Sequence, residues 1–228
     1  MDRLMLYHGS SSVIERPSYG MGNANNDYGL AFYCTRIPEM AYEWAVTEQS
    51  DGYSNIYEVD LQGLRVLDLM NGQYHLLNWL SILLENRVFR TNGISSEARQ
   101  YILDEFAVEY RDYDIIKGYR ADDSYFSFAN AFLNNSLPLE RLGEVMHLGE
   151  LGEQYAIKSE RAFEQIEFIG FNMVDRFEYF PKKKKRDEAA RIEFAANYRN
   201  FRQGTFMIDI IREEWRDDDV RLQHYICK

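Results

Sequence analysis

Apolar positions recur along the chain with two periods, and the alternation between them predicts an α+β fold. Leu4–His8 is a short apolar run that predicts a buried strand ending in His-Gly, and Leu30–Thr35 predicts a second after a polar loop holding Gly20, Gly22 and Gly29. Pro38 then sits at the first turn of a helix, where its missing N–H costs nothing. Met40, Ala41, Trp44 and Ala45 give that helix a buried face. Asn55–Leu61 alternates as a half-buried strand should, and Val66–Leu69 predicts a shorter one. Leu76, Leu77, Leu80, Leu83 and Leu84 recur at threes and fours within Gln73–Arg90, the signature of an amphipathic helix, and Tyr101, Ile102, Phe106 and Ala107 mark another.

The second half repeats these patterns. Tyr113–Tyr119 predicts a strand, followed by Arg-Ala-Asp-Asp and a helix through Phe126, Ala129 and Phe132. Pro138 opens a short helix carrying Leu139, Leu142, Val145 and Met146. Glu153–Ser159 alternates, which places Tyr155 and Ile157 on one face and Gln154, Ala156 and Lys158 on the other. Ser159 caps a short turn, and Glu167–Phe171 is the last predicted strand. Beyond Pro181 comes the basic run Lys182–Arg186. A charged helix follows over Asp187–Gln203, with Ala190, Phe194, Ala195 and Tyr198 on one side, then a stop at Gly204 and a final helix over Ile208–Trp215. The pattern divides the chain into a mixed domain, residues 1–175, and a helical extension packed on it, residues 176–228.

Composition narrows the function classes. Hydrophobic residues make up 46% of the 228, ample for a core, and 17 Tyr supply rings with polar tips suited to the walls of a polar cleft. A net charge of −11 excludes a protein that coats nucleic acid through excess Lys and Arg, though it leaves room for a local basic patch. Two cysteines, Cys34 and Cys227, imply neither a disulfide framework nor a thiolate metal site, and His75, His147 and His224 lack metal-ligand spacing. No run approaches the ~18 apolar residues of a membrane span, and Met1–Leu6 is too short for a signal peptide. The expectation is a metal-free protein of the reducing cytoplasm that does not engage a membrane.

Candidate chemistry gathers at strand ends. A glycine beside His8 suits either a tight turn or the close approach of a ligand to the backbone, and the imidazole suits a ribose hydroxyl. Alternation puts Tyr33 and Thr35 on one face and Phe32 and Cys34 on the other. Tyr33 then stacks on a flat ring in a cleft or packs in the core.

The segments YHGS, DYGLAFYCT with AYEWA after it, and EQYAIKSERA resemble the ADP-ribosyltransferase fold. More narrowly they resemble a bacterial domain-of-unknown-function family, DUF 3990, as do Glu85–Arg87 and Tyr113–Asp123, and the likeness covers Leu4–Phe171. It implies a split β-sandwich of two small antiparallel sheets around an NAD cleft. It also implies loss of nicotinamide through an oxocarbenium-like transition state and transfer of ADP-ribose to an acceptor. In that frame His8 meets the ribose, Gly9 holds the nicotinamide amide through its backbone, Tyr33 stacks on nicotinamide, and Ser10 and Thr35 are further NAD-binding candidates. Gln154 takes the third catalytic position. The setting implied is a bacterial toxin acting on an intracellular protein or nucleic acid and held in check by an antitoxin.

Gln154 departs from the carboxylate of most transferases, and Ala31 stands where a glycine is expected. An amide can hold a hydroxyl but cannot offset a cation, so a retired NAD- or partner-binding module and an NAD glycohydrolase stay open as alternatives. Asp122 and Asp123 are the candidate carboxylates, or else an acidic helix start. Arg87 either serves its helix C-terminus or binds the NAD pyrophosphate. Lys182–Arg186 is either a solvated face or a guide for an anionic partner.

Overall fold

A computed structural model describes residues 3–89, 93–121, 123–147, 152–197 and 203–227. Among them seven strands form one mixed sheet: β1 (Arg3–Ser10), β2 (Phe32–Thr35), β3 (Gly52–Asp60), β4 (Val66–Asp68), β5 (Ile115–Tyr119), β6 (Glu153–Ile157) and β7 (Ile166–Val174). Their order is β4-β5-β6-β2-β1-β3-β7, antiparallel throughout except for the β4–β5 pair. The α+β class expected from the pattern is what forms. The two small antiparallel sheets are corrected to a single, mixed, continuous one. Its continuity hangs on little: β1 meets β3 through eight residue pairs and β2 meets β6 through four, but β1 meets β2 through Tyr7–Thr35 alone. No other β1–β2 pair forms among the described residues, and a cavity opens at this junction.

Helix α1 (Pro38–Ala45) follows β2, and α2 (Leu76–Asn86), α3 (Ile94–Glu105), α4 (Asp123–Leu133) and α5 (Leu139–His147) pack on the β4–β2 half. The leucine run makes α2 a fully buried central helix, from Leu76 to Leu84. Together with Ile116, Ala156, Phe106 and Phe132 it forms the main core, to which Met207, Ile210 and Trp215 from the C-terminal segment also belong. The opposite face of the same strands buries Cys34, Ile115, Tyr155 and Ile157 with Leu6 and Val59. Removing that much apolar surface from water on both faces, at ~25 cal/mol per Å², makes this half of the sheet the rigid frame. Ser159 caps the short α6 (Glu160–Glu164) by accepting from the Ala162 N–H, as its position predicts.

Two close approaches position α1. A Cβ on Gly9 would lie 2.0 Å from the Ala41 carbonyl oxygen, and one on Gly52 would lie 2.0 Å from that of Ala45. Both strand ends therefore need glycine so that α1 can lie on them. The glycine of His-Gly-Ser thus serves helix packing.

Helix α7 (Arg176–Asn197) begins well before the predicted Asp187 and runs through Pro181. Pro181 is the sixth residue of the helix, past the first turn, so the helix forgoes the N–H bond to the Phe177 carbonyl there. The side chains of Ala190, Phe194 and Ala195, and all of Tyr198, lie outside the described residues. A short helix, α8 (Met207–Arg212), replaces the longer one expected to Trp215, and a 3₁₀ helix over Val220–Tyr225 follows it. None of the described helices is long and apolar enough to cross a membrane.

Candidate functional site

At the β1–β2 junction a cavity of about 770 Å³ opens, within the size range of small-molecule and cofactor pockets. His8 from β1, Tyr33 from β2 and Gln154 from β6 all line it. Register explains the meeting: Thr35 pairs with Gln154 and Tyr33 with Ala156, so Tyr33 and Gln154 share a face two residues apart.

His8 spans the sparse junction. Its Nδ1 lies 2.7 Å from the Tyr33 carbonyl oxygen. A carbonyl only accepts, so Nδ1 carries the proton and Nε2 is left as an acceptor. Burial pushes the His8 pKa down, which favours this neutral form. The ring packs on Phe32 with centroids 4.3 Å apart. The Tyr33 hydroxyl is committed locally: it accepts from the Tyr28 N–H at 3.0 Å and donates to the Gly29 carbonyl at 2.6 Å. Burial raises its pKa, so it stays a phenol. The ring is thus fixed at its tip, and its apolar body is what it can offer a ligand.

The carboxylate comes from a place the pattern did not mark. Asp27, 5% exposed, lines the cavity and accepts at Oδ2 from Gln154 Nε2 and from the Ala121 N–H, each at 2.8 Å. Its Oδ1 is 3.3 Å from Arg87 Nη1. Burial raises the Asp27 pKa, opposed by the Ala121 N–H, Arg87 and Gln154. A buried charge left unpaired would cost several kcal/mol, which those partners offset in part.

A peg holds Asp27 in place. The neighbouring Tyr28 is fully buried, its hydroxyl donates to the Tyr119 carbonyl at 2.7 Å, and its carbonyl accepts from Lys158 Nζ at 2.8 Å. The hydroxyl lies over Gly118, where a Cβ would come within 2.2 Å of it, and Gly118 pairs with Gln154. The missing side chain at Gly118 is what brings the Asp27 loop to Gln154.

Gln154 also donates to the Tyr119 carbonyl at 3.2 Å. Glu153 faces away and binds Lys117 at 3.0 Å. Of the other sequence-derived candidates, Arg87 lines the cavity and lies over the Phe126 ring at 4.6 Å. Gly9, Ser10 and Thr35 are not in its lining. Gly9 is taken up by α1, and Ser10 Oγ accepts from Asn55. The hydroxyl of fully buried Thr35 accepts from the Ile37 N–H and donates to the Glu153 carbonyl. Asp122 lies outside the described residues, as does the side chain of Asp123, although that residue does begin α4.

Electrostatics single the cavity out from the acidic surface. Five cations, Arg16, Arg87, Arg120, Lys183 and Arg191, are among its described lining, against the carboxylates Asp27 and Asp187. Arg120 lies over the Trp44 ring at 4.4 Å. The buried Trp44 indole N–H, in the same lining, has no hydrogen-bond partner among the described residues. Guanidinium and ammonium groups beside aromatic rings are chemically suited to anions and flat rings. No group of three His, Cys, Asp or Glu residues is placed to hold a metal ion among the described residues.

The chain belongs to a family described as "Protein of unknown function (DUF3990)", which it matches over residues 4–168. The match includes His8, Asp27, Tyr33, Arg87 and Gln154 and ends before α7. No curated protein and no solved structure matches the chain.

Proposed function

We propose that the cavity binds NAD and that the chain is an ADP-ribosyltransferase, releasing nicotinamide and passing ADP-ribose to an intracellular macromolecule. The observation that supports this most is the convergence of His8, Tyr33 and Gln154, from three separate strands, on one cavity with a buried carboxylate hydrogen-bonded to Gln154.

Each group has a role suited to its chemistry. His8 Nε2 accepts a ribose hydroxyl, and the fixed Tyr33 ring stacks on nicotinamide. As the C1′–nicotinamide bond breaks, positive charge grows on the ribose, and the Asp27 carboxylate with the Tyr33 ring face offsets it. Gln154 is a positioning residue: its N–H aims Asp27, and its carbonyl oxygen remains for a ribose hydroxyl. Arg87 orients Asp27 from the other side. The amide at the third position therefore works with a carboxylate supplied from another loop. An acceptor nucleophile then attacks C1′. In this reading the protein is a cytoplasmic bacterial toxin with a cognate antitoxin.

The test is NAD labelled on its adenylate half, incubated with cell lysate and the wild type or His8→Ala, Tyr33→Ala and Gln154→Ala. Label entering a macromolecule, and lost in the variants, is the expected result. Nicotinamide release without labelling would point to NAD hydrolysis. NAD binding without release would point to a retired binding module.

A further inference from the structure

Helix α7, which lies beyond the family-matched residues, forms part of the cavity wall. Helical period sorts its basic run. Lys183, Arg186 and Asp187 are partly buried, whereas Lys182, Lys184 and Lys185 are exposed. Residues 183, 187 and 191 recur every four positions, which makes one stripe along the helix, and all three line the cavity.

The stripe is anchored beside the cavity. Arg186 pairs with Glu43 of α1, the two side chains 11% and 8% exposed, and also reaches Asp187 at 3.6 Å. That arrangement ties α7 to α1 and answers the negative charge of Asp187. Lys183 makes no ion pair with a described residue, and neither does Arg16 on the loop after β1. Two cations without an ion pair to a described residue, from distant parts of the chain, thus face one cavity, with Arg191 about two turns beyond Lys183 along the helix. In a chain of net charge −11, such a concentration of cations is an anion-binding arrangement.

We propose that Lys183 and Arg191 of α7, together with Arg16, form the recognition site for two linked phosphates in this cavity. The helix appended to the family's domain thereby sets the ligand class to a diphosphate. The inference rests on the NAD reading only for what the diphosphate carries at its two ends.

Inorganic pyrophosphate tests it directly, by calorimetric titration of the full chain at low and raised salt. Wild type is expected to bind, more weakly as salt screens the charges. Lys183→Gln and Arg191→Gln should each lose about tenfold in affinity, the scale of one charge-assisted contact. Lys184→Gln on the outer face should bind as wild type, and Lys183→Arg, which keeps the charge, should retain affinity and so exclude misfolding as the cause. No pyrophosphate binding by wild type, or undiminished binding by the two Gln variants, overturns the proposal. Pyrophosphate binding that depends on these residues in a chain that does not bind NAD would uphold the role of α7 and remove the NAD reading.

Discussion

On the β2 side of the Tyr7–Thr35 pair, β4, β5, β6 and β2 are sealed on both faces, with Ile115, Ile116, Cys34, Ala156 and Ile157 fully buried. On the β1 side, the edge strand β7 leaves Ile169, Phe171 and Met173 at 51%, 47% and 76% exposure. The proposed chemistry is divided unevenly between the two. Tyr33, Gln154 and the pegged Asp27 belong to the sealed half, while His8 sits on the lighter one and reaches across through its hydrogen bond to the Tyr33 carbonyl and its packing on Phe32, beside the lone Tyr7–Thr35 pair. Under the proposed function, the contrast places the charged group in the doubly buried half and the proposed ribose contact in the lighter one.

The sharpest way to break that distinction is Gly118→Ala. Its Cβ would meet the Tyr28 hydroxyl at 2.2 Å, inside the sealed half. We expect a loss of about 3 kcal/mol, the upper range for overpacking, and loss of NAD binding, read by chemical denaturation and titration. Wild-type stability would mean that the Tyr28 peg can shift and does not position Asp27.

Asp27→Asn should leave the fold intact and lower nicotinamide release by about 10²–10³-fold, the usual cost of removing a preorganised electrostatic group. Because burial raises the Asp27 pKa, activity should fall as pH drops, with a midpoint above the ~4 of an ordinary Asp. The folded state takes up that proton more readily than the unfolded state. This group therefore adds stability as pH falls, and a melting curve that does not track the activity loss would separate the two effects.

His8→Ala, on the lighter half, should cost about 10²-fold in activity, in the range of one positioned polar group, with thermal stability little changed. A large drop in stability would show that His8, and not the Tyr7–Thr35 pair, holds the halves together.

Lys158, bonded to the Tyr28 carbonyl, gives the smallest effect. Burial lowers its pKa to about 8 from the ordinary 10.5. The unfolded chain then holds this proton more tightly between those values, so stability from this group rises with pH from 8 to 10.5. Lys158→Gln should flatten that slope in melting temperature against pH.

Much of this arrangement is legible in the chain. Alternation sets Tyr33 opposite Phe32 and Gln154 opposite Tyr155 within their own strands because a strand has a period of two, the β2–β6 register then brings the two to one face, and the leucine run of α2 declares its burial. Asp27 is not legible. It sits in the polar stretch Asn-Ala-Asn-Asn-Asp, which carries no period, and it reaches Gln154 only because Tyr28 lies over Gly118, 90 positions further on. Thr35 shares the face of Tyr33 but is claimed by the entry to α1. Four consecutive lysines read alike on every face, and only the helix through Pro181 selects Lys183 for the cavity.

Nicotinamide release from NAD by wild type and by Asp27→Asn, each verified as folded and NAD-binding, addresses the central claim most directly. The account predicts release by the wild type and its near-complete loss in Asp27→Asn. Equal release by the two, or none from a wild type that binds NAD, would contradict it.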